Sequence, residues 1–158
     1  MDAKTAIRES LATAEMVSMS YLKDLDDSQL MLRPHSGCQH INWQVGHLIS
    51  SEHQMMSQVT DMPALPEGFA EKYSKETIGS DNADEFANQE ILMATYRAQR
   101  DATLAFLEEV SSEKLDDATG VDYAPTTASL LSMQGMHWMM HCGQWVIVRR
   151  MCDKPIVI

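Results

Sequence analysis

Basic residues are scarce in this 158-residue chain: 12 lysines and arginines stand against 23 aspartates and glutamates, a formal charge of -11. Lysine and arginine carry most phosphate contacts, so this balance argues against a nucleic-acid or anionic-membrane partner. Cysteine is scarce as well. Cys38, Cys142 and Cys152 are odd in number, widely spaced and without a CxxC pair. That excludes a disulfide framework and suits reduced thiols in the cytoplasm. No apolar run is long enough for a transmembrane helix. The opening MDAKTAIRESLATAEM lacks an apolar core followed by a cleavage site, so it does not read as a signal peptide. There is also no internal repeat, no low-complexity run and no Pro/Gly-rich linker, and residues 1–158 read as a single domain.

What is present fits a globular protein: 44% of the residues are hydrophobic and 22% charged. Four stretches carry the apolar spacing of amphipathic helices. The first, about Ala3 to Lys23, places Ile7, Leu11, Ala14 and Val17 on one side before DLDDSQLMLRP breaks it at Pro34. The second is predicted from Ile41 to Val59 and the third from Ala83 to Val110, the latter opening among acidic residues that suit a helix N-terminus. The fourth, Thr127 to Met151, follows Pro125 and two threonines able to cap it, and ends in Arg149 and Arg150. No segment alternates with a period of two, so the expected class is all-α, a four-helix bundle. The stretch Asp61–Asn82 is long for a loop and is expected to be functional or to carry a short helix. As a crossover it would give the helices an up-down-down-up order. The fourth helix is apolar nearly all round, which calls for a central place or cover from a second subunit. With 13 methionines in the chain, a homodimer is expected.

The fourth helix also contains GMHWMMHCGQW, in which His137 and His141 are four apart and share a face. Two neutral imidazoles so placed can hold a divalent cation. They are equally readable as core histidines satisfied by polar neighbours. Trp138 follows His137, so the glutamate of the HExxH metalloprotease motif is missing and a peptidase is excluded. A third ligand would come from elsewhere, and His47 in HINWQVGHLISSEH is the best placed, with Gly46 beside it allowing a neighbouring helix close. By itself it too reads as a core histidine. His35 lies in a loop, His40 just before the helix, and His53 is about 240° around from His47. Cys142 points about 100° away from His141 and reads as a small core residue. Gln144 is a candidate for orienting His141, and reads equally as a buried glutamine bonded to backbone. Trp43, Trp138 and Trp145 read as packing residues, and the Cys38/His35/His40 group is a weak candidate for metal.

HINWQVGHLISSE and MHWMMHCGQW, in this order and with a long crossover and a third helix between them, resemble the DinB/YfiT-like superfamily of metal-dependent enzymes. The resemblance covers nearly the whole chain in layout and some twenty-five residues in motif. It implies a bundle, often dimeric, whose metal ligands correspond to His47, His137 and His141. The ion it implies is nickel or zinc, with iron or manganese as alternatives. Cys142 departs from it, since many relatives have arginine there. The resemblance also implies thiol-dependent S-transferases and isomerases that use small cofactor thiols. On that basis the expected function is a small-molecule enzyme, thiol transfer ahead of metal-dependent hydrolysis. A non-catalytic metal-binding stress-response protein and a purely structural bundle are the other readings.

Overall fold

The four periodic stretches become four long helices in the computed structural model, which describes residues 1–156. Residues 157 and 158 of the expected single domain lie outside the described residues. Helix α1, Ala3–Leu22, starts where the Asp2 carboxylate accepts from Thr5 N at 2.8 Å, and it buries Ile7, Leu11, Ala14, Val17 and Tyr21. An Asp26/Gln29 capping box then opens the short α2, Asp27–Leu30. Helix α3, Ile41–Met56, is capped by His40, whose Nδ1 accepts from Trp43 N at 3.0 Å. It ends three residues before the predicted Val59, in successive turns from Met55 and Met56. The long connection does carry a short helix, α4, Phe69–Lys72.

Helix α5, Gln89–Glu109, begins later than the predicted Ala83. Asn82 caps one 3-10 turn, Ala83–Glu85, after which Phe86 is extended and buried. The helix starts afresh where Asn88 accepts from Ile91 N. Helix α6, Thr127–Met151, has the predicted boundaries, and Thr126 forms a capping box with Ser129. Among the described residues there is no strand, only an isolated bridge between Ala118 and Thr126.

Helix α1 packs most extensively against α6, while α3 lies against both α5 and α6. Gly135 faces α1 at contact distance, a Cβ there lying 3.4 Å from that of Ala14. One core cluster surrounds Trp138 and Trp145 with Leu48, Ile49 and Tyr96; a second gathers Met56, Leu107, Leu130 and Leu131. Each fully buried aliphatic side chain contributes roughly 1.5–3 kcal/mol. Glu52 and Arg100 form a buried bidentate pair at 3.0 and 2.8 Å, with Thr103 donating to the same carboxylate. Arg149 is buried as well, bonded to Asp24 and to the carbonyls of Tyr21 and Pro155, so it ties chain segments together beyond complementing the helix dipole.

Helix α6 is not enclosed. Met136, Met139, Met140, Ile147 and Met151 on its outer side are 40% to 60% exposed. No described helix is long and apolar enough to cross a membrane.

Candidate metal centre

Helices α3 and α6 bring together the three histidines singled out in the sequence. One ring nitrogen each from His47, His137 and His141 lies within 4.8 Å of the others, and among the described residues no other group of three His, Cys, Asp or Glu has this geometry. The ring centroids are 5.1 to 5.8 Å apart. Two nitrogens on a tetrahedral zinc ion are about 3.3 Å apart, from bond lengths of 2.0–2.1 Å. The nitrogens lie within 4.8 Å of one another, so they would have to close by up to about 1.5 Å to share one such ion. The donor set is therefore compatible with a divalent ion.

Hydrogen bonding fixes the tautomer of His141. Trp145 Nε1, a donor only, meets Gln44 Oε1 at 3.0 Å, and Gln44 Nε2 donates to Gln39 O at 2.9 Å. The amide oxygen is thereby identified, so His141 Nδ1, 2.8 Å from it, must donate. The lone pair of His141 is then on Nε2, as a metal-binding imidazole requires. Gln44 thus does what was expected of Gln144, which is exposed and takes no part. The missed signal was a glutamine in INWQVGHLI, a run otherwise destined for burial.

Charge is disfavoured on all three rings. Burial pushes His137 and His141 down to about 4, with neighbouring ring charges adding to it, and burial lowers His47. The rings are neutral at neutral pH, the state in which imidazole binds metal. Trp43 stacks on His47, centroids 5.0 Å apart and planes 6° from parallel, and donates from Nε1 to Thr77 Oγ1 and Ser74 O. Two of the three tryptophans thus hold the triad or its glutamine, beyond simple packing.

The other candidates fall away. His53 Nδ1 pairs with Gln99 Oε1, His35 Nδ1 accepts from Gly37 N in an exposed turn, and His40 is the cap of α3. Cys142 is buried with Sγ 3.1 Å from Ser18 Oγ, as a core residue. Gly46 allows the close approach expected of it, and the neighbour is the end of the short α4 in the crossover: a Cβ on it would lie 2.2 Å from the ring of Tyr73, the C-cap residue of α4. The connection accordingly reaches the site, with Leu65, Ala70, Tyr73 and Ser74 lining a cavity that includes His47. A second wall comes from the loop between α5 and α6. Gly120, at φ 77°, turns it, the Ala118–Thr126 bridge closes it, and Tyr123 projects beside His47 and His137.

A solved structure described as a conserved protein of a locus from Enterococcus faecalis has a similar fold, with a TM-score of 0.69 over 95% of this chain and 96% of that one, at 18% identity. No curated protein matches the chain. A model of one family does match, over residues 10–145, and it agrees with the layout just described: the chain belongs to the DinB superfamily.

Proposed function

We propose that the protein is a small-molecule enzyme that works through one divalent metal ion held by His47, His137 and His141, and that its reaction is a thiol-dependent S-transfer. The observation that carries the metal assignment is the donation from His141 Nδ1 to Gln44 Oε1, which leaves the lone pair of that ring on Nε2 in a cluster of three histidines. A divalent ion bound by three neutral imidazoles keeps its full charge and lowers the pKa of a thiol or water beside it. The protein's part is to keep the three rings neutral by burial, to orient them from two helices, and to leave room on the remaining side. The cavities at His47 give a substrate access to that side. Metal-dependent hydrolysis is the alternative reaction. The reading further includes nickel or zinc as the ion, a single domain with an up-down-down-up helix order, a homodimer, and reduced cysteines in the cytoplasm.

Metal analysis of untagged protein tests the core of the proposal. One divalent ion per chain is expected, with none retained by His137→Ala or His141→Ala, and full retention by His53→Ala. Full occupancy in His47→Ala would remove the third ligand from the scheme. Small thiols should shift the visible absorption of cobalt-substituted protein. If they do not, and ester or amide substrates turn over, hydrolysis is the reaction.

A further inference from the structure

Gln44 and Gln99 are built into the fold alike. Each is a buried glutamine whose Nε2 donates to a backbone carbonyl, that of Gln39 in one case and of Pro63 in the other. Each thereby presents Oε1 to the Nδ1 of a histidine, His141 at 2.8 Å and His53 at 3.1 Å. An amide oxygen only accepts, so His53 Nδ1 donates and the lone pair of that ring is on Nε2. For His141 the arrangement serves the histidine cluster, to which His53 does not belong. His53 instead lines the cavity of about 560 Å³ between α3 and the crossover, and His47 lines the same cavity. The Nε2 of His53 has no hydrogen-bond partner among the described residues. It is not among the buried unpartnered atoms either, which belong to His40, Ser50, Arg100 and Trp138. This nitrogen is therefore accessible, and a buried side chain fixes it as an acceptor. Six residues separate the two histidines, about 9 Å along the axis of α3.

Resting on the metal-centre and S-transfer readings, we propose that His53 determines specificity. The substrate carries, remote from the atom that reacts at the metal, a hydroxyl or amide N–H that donates to His53 Nε2. A donor brought to this nitrogen gains a hydrogen bond, whereas a group that only accepts, such as an ether oxygen, meets a lone pair and gains none. Gln99 excludes the other tautomer, in which Nε2 would donate and the preference would reverse. Turning the Gln99 amide over would set its oxygen against the Pro63 carbonyl, so the crossover holds the glutamine and the glutamine holds the histidine.

Cobalt-loaded protein titrated with oligo(ethylene glycol) thiols of increasing length tests this, each length taken both as the terminal alcohol and as its methyl ether. Visible absorption reports binding. The alcohol can donate at its far end and the ether cannot. At the lengths that reach His53, the preference for alcohol over ether should be about three- to tenfold greater in wild type than in His53→Phe, the effect of one hydrogen bond. The shortest pair, 2-mercaptoethanol and its methyl ether, should show no such difference. NMR of the ring nitrogens in metal-free protein, in mildly alkaline buffer, adds a readout that needs no thiol. His53 should carry its proton on Nδ1, and Gln99→Leu should shift it toward Nε2. A wild-type His53 mainly protonated on Nε2 overturns the proposal. Failure to take up cobalt overturns the metal-centre reading and this proposal with it. Cobalt uptake without any thiol response removes the S-transfer reading and this proposal, and leaves the metal centre standing. Thiol binding with the same alcohol preference in wild type and His53→Phe at every length overturns this proposal alone.

Discussion

Gln44 Oε1 receives two donors at once, from Trp145 and His141, while its own amide nitrogen is held by Gln39 O. Gln44→Leu would leave both donors without an acceptor and His141 free to change tautomer. A loss of about 10–100-fold in metal affinity is expected, the range typical of groups that orient a ligand, measured by competition with a chelating dye. Gln44→Glu, which retains an acceptor, should lose far less; equal affinities in wild type and Gln44→Leu would contradict the assignment. The depressed histidines make a second prediction. His137, His141 and His40 titrate near 4 in the folded protein against 6.5 when free, so the unfolded chain binds more protons between those values. Metal-free protein should therefore lose stability as pH falls from 6.5 toward 4, with no such loss above 6.5. Urea midpoints at pH 7.5, 5.5 and 4.5 should decline in that order, and less so for His137→Ala; a level series would exclude the effect. That His137 and His141 share a face was legible in their spacing; that His47 joins them, as the structure shows, followed from the family resemblance, since its apolar run alone also suited a core histidine. Gln44 was not legible, because its partners at 141 and 145 are distant in sequence and local spacing favoured Gln144, which the helix turns outward.

At the scale of elements, boundaries were legible where local chemistry decided them. Helix α6 begins at a capping box written in adjacent residues, Thr126 and Ser129. The start of α5 was misplaced because Phe86 and Ala87 obey tertiary demands: Phe86 packs on His40 and Tyr73, and Ala87 N donates to Tyr73 Oη at 2.9 Å. The same tyrosine donates to Asn42 Oδ1 at 3.2 Å and lies over Gly46. It therefore ties α3, the long connection and the approach to α5 together. Gly46→Ala places a methyl inside that ring and should cost about 1–3 kcal/mol, the usual range for overpacking. Denaturant unfolding checks the loss, and a fully stable variant would mean that the connection can shift freely. The weaker metal affinity expected beside it, since His47 is the next residue, would appear in the dye assay.

On the scale of the whole molecule, the all-α class was legible from periodicity, whereas the outward side of α6 was ambiguous between central burial and cover by another subunit. The exposed stripe of Met136, Met140, Ile147 and Met151 decides against central burial. An apolar stripe of this kind calls for a partner surface, and the homodimer proposal predicts twice the chain mass by light scattering at micromolar concentration. Met140→Glu combined with Ile147→Glu should yield monomers that keep their helical content. A wild-type monomer at that concentration would end the proposal. The pairing of α1 with α6 has a consequence during synthesis. The first long helix finds its main partner only after residues 127–151 have been made, and two of the three histidines arrive in that same segment. At the usual elongation rates of about 5–20 residues per second, Ile7, Leu11 and Val17 wait roughly 7–29 s for the surface that covers them. The nascent chain is thus most exposed to chaperones, and to aggregation, along α1, and its three histidines come together only as the last helix docks.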